Sequence, residues 1–149
     1  MRTAFVLDTS VAISWCFEDE ANPYSEAALG FLRSAVAHVP VIWPLEVVNV
    51  LLVSERRKRL TRSKSLRFLE MLQSLPIKVD AGNPSRTFGQ ILVLAREQGL
   101  TSYDASYLDL AAQHGFALAT LDARLRKAAK AAKVPLWKPS HNGAKEVRT

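Results

Sequence analysis

Ala4-Phe5-Val6-Leu7-Asp8-Thr9-Ser10-Val11 begins with an apolar run that stops at an acid followed by two hydroxyls. An apolar run of this length, bounded by polar residues, reads as a buried strand, and the pattern from about Val11 to Phe17 reads as the helix it feeds. The same alternation continues along the chain. Pro23 opens a helix predicted to run to about Ala37, with Leu29, Leu32 and Val36 at helical spacing. Val41–Trp43 is predicted as the second strand, and a helix from Pro44 carries Val47, Val48, Leu51 and Leu52 into a basic turn at Arg56–Arg59. A helix from Ser63 to about Leu72 and a strand at Ile77–Val79 follow. Asn83-Pro84 is read as capping a helix that Gly99 ends, and Ser102–His114 as a helix closed by Gly115. Ala117–Thr120 reads as a strand, Asp122 to about Lys133 as a helix, and Pro135–Trp137 as a last edge strand. Strand and helix in alternation predict a three-layer α/β/α domain with a mostly parallel central sheet of about five strands. Residues 1–137 are expected to form this one domain and 138–149 a loose polar tail.

Composition narrows the function classes. A chain of 149 residues suits one core, and the single cysteine, Cys16, excludes an internal disulfide and a cysteine-rich zinc cluster. No P-loop, no glycine-rich dinucleotide fingerprint and no Ser/His/Asp or Cys/His arrangement is present, and His38, His114 and His141 show no ligand spacing. The N-terminus has no secretory pattern, and the longest apolar stretch, Val39–Val53, is interrupted by Pro44, Glu46 and Asn49. A soluble, cytoplasmic protein with no membrane attachment is the expectation. The net charge of +6 is unevenly spread, with bases gathered at Arg56, Arg57, Lys58, Arg59, Arg62, Lys64 and Arg67 and again from Arg124 to Lys133. An acidic partner is implied, nucleic acid first, and Arg56–Arg59 is the candidate RNA contact. Solvated helix faces explain either cluster equally well when it is taken alone.

Four acids fall where an open α/β sheet gathers function, beyond the C-terminal ends of its strands. Asp8 and Asp122 each end an apolar run, and each has a hydroxyl two residues away, Ser10 and Thr120. Glu46 and Asp104 open helices, and Asn49 shares the face of Glu46 one turn on. Clustered carboxylates repel one another, and Mg²⁺ or Mn²⁺ would neutralise them, offset charge on a phosphate and acidify an attacking water. Capping explains each acid singly: Asp8 or Ser10 and Asp122 suit N-cap positions, Asp104 suits a capping box with Thr101, and Glu46 suits a helix dipole. Capping leaves unexplained why two acids end strands beside hydroxyls while two others open the intervening helices. Glu18-Asp19-Glu20 reads as a solvated turn, and Asp109, five residues past Asp104 and off its face, as exposed.

The segments Val6-Leu7-Asp8-Thr9-Ser10-Val11, Pro44-Leu45-Glu46-Val47-Val48-Asn49, Leu100-Thr101-Ser102-Tyr103-Asp104-Ala105-Ser106-Tyr107 and Thr120-Leu121-Asp122 resemble the PIN-domain family. They look most like VapC-type toxins of toxin–antitoxin pairs, over about Phe5 to Trp137. The resemblance implies that Asp8, Glu46, Asp104 and Asp122 are catalytic and bind the metal, with Ser10, Asn49 and Thr120 in support. It further implies a first strand lying between the second and fourth, Mg²⁺ or Mn²⁺ as cofactor, RNA cleavage by water, a homodimer, and an antitoxin that blocks the acidic pocket. Two other readings stay open. One is a non-catalytic RNA-binding domain of the same fold. The other is a haloacid-dehalogenase-like phosphatase, which usually needs a second acid where this chain has Ser10.

Overall fold

The computed structural model describes residues 3–139. At its centre is β1 (Thr3–Leu7), in which Phe5, Val6 and Leu7 are all buried, as a strand covered on both faces of a parallel sheet must be. It pairs in parallel with β2 (Ala35–Val39) on one side and β4 (Ala117–Ala119) on the other, and β2 pairs in parallel with β3 (Ile77–Val79). The order is β3-β2-β1-β4, which puts the first strand between the second and fourth as expected. Alternate residues of β1 serve opposite faces. Phe5 packs against Phe31 and Trp137, while His38, aligned with Val6, meets Phe116 and His114 on the other face. Helices on both faces complete three layers.

The sheet has four strands rather than about five. Pro135–Trp137 contributes only a parallel bridge between Leu118 and Leu136, because Pro135 has no N–H to extend the ladder. A second correction concerns β2. The helix from Pro23, α2, stops at Phe31, and the run Ala35-Val36-Ala37-His38-Val39 is a strand. Alanines favour helix in isolation, but Ala35, Ala37 and Val39 are buried on alternation and the neighbouring β1 supplies the ladder. Val41–Trp43, predicted as strand, is instead the turn into α3 (Trp43–Arg56), which buries Trp43, Val47 and Leu51.

The first helix, α1 (Thr9–Ser14), is a turn shorter at its end than its pattern suggests. α4 spans Arg62–Ser74. The single helix expected after Asn83 is divided into α5 (Pro84–Arg86), a π-helical turn (Thr87–Ile91) and α6 (Leu92–Gln98), closed by Gly99 at φ 63°. α7 (Ser102–His114) lies across β1 and β4, burying Ala105, Tyr107, Leu108 and Ala111, and ends at the left-handed Gly115. α8 (Ala123–Ala131) follows β4. Of the expected tail only Lys138 and Pro139 belong to the described residues, and residues 140–149, His141 among them, lie outside them. Among the described residues, no helix is long and apolar enough to cross a membrane.

Candidate active site

The ends of β1 and β4 are tied together before any acid is considered, since Asp8 N donates to Ala119 O at 3.0 Å. That bond sets the two strand ends level. The residues just past them then interlock. Asp8 Oδ2 accepts from Ser10 Oγ at 2.6 Å and from Thr120 Oγ1 at 2.8 Å. Ser10 Oγ in turn accepts from Leu121 N, and Thr120 Oγ1 from Asp122 N, both at 3.0 Å. The two hydroxyls singled out in the sequence therefore converge on one carboxylate, which is 6% exposed.

Asp8 occupies the N-cap position of α1, yet its side chain makes no capping hydrogen bond. Ser10 N still lies close enough to favour the ionised carboxylate, so the position serves the start of α1 as well as the cluster. Asp122 is different: its Oδ1 accepts from Arg124 N at 2.9 Å and Leu125 N at 3.1 Å, so it caps α8 with one oxygen. Thr101, not Asp104, supplies the cap of α7, accepting from Asp104 N.

Glu46, half-buried near the start of α3, is held by two residues that the sequence reading passed over. Tyr107 Oη donates to Glu46 Oε1, and Thr9 Oγ1 donates to the same oxygen at 3.2 Å. Thr9 and Tyr107 also meet each other at 2.8 Å, inside the protein. Both lie within the quoted motifs, and Tyr107 is one helical turn from Asp104, which is the signal that could have found them. Asn49 is exposed and makes no hydrogen bond to the cluster.

The acids feel one another. Burial, opposed by its two hydroxyl donors, pushes the Asp8 carboxyl above its usual range, and the charge of Asp122 adds to the push. Glu46 is raised by burial, with the charges of Asp8 and Asp104 acting the same way. Asp104 is raised by burial and then by Asp8 and Asp122, while Arg124 opposes the shift. The topology brings all four to the C-terminal end of the sheet, Asp8 and Asp122 just past β1 and β4 and Glu46 and Asp104 in the first turns of α3 and α7. Among the described residues, however, no three Asp, Glu, His or Cys side chains form a group that could hold a metal ion as placed. The donor chemistry fits a hard cation all the same, because Mg²⁺ is commonly held by one or two carboxylates and completes its shell with water. Glu46 Oε2 and Asp122 Oδ2 accept no hydrogen bond among the described residues, which leaves each acid an oxygen to offer.

Other candidates fall away from this centre. Arg56–Arg59 lies at the opposite end of α3 from Glu46, about 15 Å along the axis at 1.5 Å per residue. Arg59 is already engaged, stacked over Phe17 and paired with Asp19 and Glu20 at 3.0 and 2.8 Å. The acidic run at residues 18–20 is thus a 3₁₀ turn tied to α3's end rather than a merely solvated one. Asp109 is not exposed but buried, and Arg86 forks onto both of its oxygens. The fold neutralises it there, which spacing alone could not reveal. His38 and His114 come within 6.4 Å, around Phe116 and apart from the acids.

The sequence profile of the family described as PIN domain matches residues 5–131. No curated protein matches the chain. Among solved structures, PAE2754 from Pyrobaculum aerophilum is similar with a TM-score of 0.66 at 24% identity, over 86% of this chain and 87% of that one. FitAcB from Neisseria gonorrhoeae gives 0.62 at 22% identity, over 92% and 99%. VapBC2 from Rickettsia felis, bound to a DNA fragment from its promoter, gives 0.66 at 12% identity, over 91% and 98%. At these identities the likeness establishes the fold.

Proposed function

The chain belongs to the PIN-domain family, whose members are generally nucleases, and on that premise we propose that it is a divalent-metal-dependent endoribonuclease acting as the toxin of a toxin–antitoxin pair. The observation that carries the reading is the convergence of Asp8, Glu46, Asp104 and Asp122 at one end of the sheet, with Asp8 fixed by hydroxyls from both β1's and β4's flanks. Residues 1–137 would form the catalytic domain, and the cytoplasm would be its compartment.

In this reading the four acids are the metal ligands and catalytic groups, and Ser10 and Thr120 hold Asp8 in one orientation. Thr9 and Tyr107 do the same for Glu46. Asn49 has no bond to the cluster and would act only through water or substrate. When bound, Mg²⁺ or Mn²⁺ supplies positive charge against the carboxylates and the phosphate and makes a water acidic enough to attack. The chemistry is hydrolysis: the water's oxygen bonds to phosphorus and the bond from phosphorus to the leaving sugar oxygen breaks. The proton that the water gives up would pass to a neighbouring carboxylate oxygen, and Glu46 Oε2 is free of hydrogen bonds among the described residues. Arg124, exposed in the first turn of α8 and close enough to influence Asp104, would steady the phosphate at the rim. Arg56, Arg57 and Lys58 would serve only as outlying contacts for a longer RNA.

Two features support partner chains. Leu45, Val48 and Leu52 form an uncovered apolar stripe on α3, the kind of surface that a second copy or an antitoxin covers. FitAcB and VapBC2 share this fold at TM-scores of 0.62 and 0.66, and VapBC2 was seen on a DNA fragment from its promoter. An antitoxin partner and a homodimer are proposed on that footing.

The test is incubation of the purified protein with total RNA in Mg²⁺ or Mn²⁺, with and without chelator, followed by mapping of the cut ends. Discrete cuts that chelator abolishes support the reading. Tight RNA binding with no cutting at any Mn²⁺ level would replace it with the non-catalytic alternative.

A further inference from the structure

A cavity of about 490 Å³ opens beside α7, on a different face of that helix from Asp104. Its size lies within the range of ligand pockets, about 300–1,000 Å³. Arg86 and Asp109 are part of its wall, and Tyr103, 58% exposed and next in sequence to Asp104, stands at its rim. Asp109 takes Arg86 Nε on Oδ2 at 2.9 Å and Nη2 on Oδ1 at 2.7 Å. This geometry uses the side-on edge of the guanidinium. The end-on edge, formed by Nη1 and the second hydrogen of Nη2, meets no acceptor among the described residues, and the arginine side chain is 33% exposed. A buried ion pair adds little net stability over apolar side chains of similar volume. Folding alone therefore gives a weak reason for building one into a cavity wall.

What the pair does provide is a pair of parallel donors held at a fixed angle in a cavity wall that Ile42 and Tyr103 also line, at the starts of the helices that carry Glu46 and Asp104. Single-stranded RNA is read by stacking on aromatic rings and by hydrogen bonds to exposed base edges. Two parallel donors call for two adjacent acceptors. Adenine sets an acceptor beside a donor, and uracil's carbonyls flank a donor. Guanine offers O6 and N7 together, the commonest specific partner of an arginine fork. Cytosine has a comparable pair, O2 and N3, but a smaller ring for Tyr103 to cover.

We infer that this cavity receives an unpaired guanine of the RNA, near the phosphate held over the acids, with Arg86 reading O6 and N7 and Tyr103 stacking on the base. Asp109 is a positioning residue: it turns the guanidinium so that the end-on edge is left for the ligand. The inference rests on the ribonuclease reading for its substrate, but the cavity can be tested without catalysis.

The experiment maps cut ends produced from an unstructured random RNA by the wild type, by Arg86→Lys, by Tyr103→Ala and by the paired variant Arg86→Met with Asp109→Leu. In parallel, each of the four nucleoside 5′-monophosphates is titrated into metal-free protein by NMR. Guanine should be enriched about tenfold at one position flanking the cut. Arg86→Lys keeps the charge but not the fork, and it and the paired variant should spread the cuts over all four bases. Tyr103→Ala should weaken cutting at every sequence while keeping the guanine preference. Guanosine monophosphate should shift signals around the cavity in the wild type and not in the paired variant. Cutting without guanine enrichment, enrichment for cytosine, or enrichment unchanged in the paired variant overturns the inference and leaves the ribonuclease reading standing. So does a solution dimer that buries Arg86 against a second copy. If no metal produces any cutting, the ribonuclease reading fails and the titration decides: no binding of guanosine monophosphate ends the proposal, and binding lost in the paired variant sustains it.

Discussion

Arg86→Met removes the partner of a carboxylate whose side chain is 6% exposed, whereas Asp109→Leu removes the partner of a guanidinium whose side chain is 33% exposed. The two halves of one ion pair should therefore differ sharply in what their loss does. Without Arg86, both oxygens of Asp109 lose their charged donors and keep only what water the cavity admits, a case that costs up to about 3–5 kcal/mol. Without Asp109, Arg86 can swing toward solvent, and the loss should be about 1–2 kcal/mol, the scale of a deleted hydrogen-bonded partner. Replacing both should bring stability back to within about 1 kcal/mol of the wild type, because no charge is then left stranded. For a chain of 149 residues, about 2–4 °C of Tm follows each kcal/mol, so Arg86→Met should melt up to roughly 6–20 °C lower. Urea denaturation of the wild type, both single variants and the paired variant closes a double-mutant cycle. Equal losses in the two single variants, or a paired variant as unstable as their sum, would refute the reasoning.

The remaining predictions concern the acids. Burial raises the carboxyl of Asp8, so folding favours its neutral form and disfavours its ionised one. Metal-free Asp8→Asn should then be more stable than the wild type near neutrality. The gap should narrow as pH falls through the raised value toward the unfolded one, about 3.9. Urea midpoints at a series of pH values check this, and a gap that widens in acid would contradict it. Tyr107→Phe deletes the hydroxyl that orients Glu46, and should lower RNA cleavage about tenfold or more while costing only about 1 kcal/mol of stability. A loss of activity matched by loss of fold would assign Tyr107 to the core alone. Arg124→Gln should reduce the slope of log affinity against log salt for single-stranded RNA by about 0.7, the share of one phosphate contact. An unchanged slope would remove Arg124 from the RNA path.

What was legible in the sequence depended on how local its cause was. Asp8 and Asp122 announced themselves because each ended an apolar run with a hydroxyl two residues away, and in the fold those hydroxyls share one carboxylate oxygen. Helix ends marked by Gly99 and Gly115 were equally plain, since a left-handed residue leaves a chemical signature. β2 was misplaced because alanine-rich sequence favours helix, and only a neighbouring strand makes Ala35–Val39 extended. The ion pair of Arg86 with Asp109 joins residues 23 apart through a break in helical regularity at Thr87–Ile91, which no spacing rule anticipates. Thr9 and Tyr107 sat in view but had no stated role until Glu46 was seen between them. Arg59, read as an RNA contact, turned out to be held by Asp19, Glu20 and Phe17.

Asp8, the carboxylate that both hydroxyls hold, is the residue whose loss bears most directly on catalysis. Purified wild type and Asp8→Asn, each shown to be folded by its denaturation curve, should be compared on a labelled unstructured RNA in Mn²⁺. The wild type should cut, chelator should stop it, and Asp8→Asn should leave the RNA intact. Metal-dependent cutting by the folded Asp8→Asn protein at the wild-type rate would show that the four acids are not the nuclease centre.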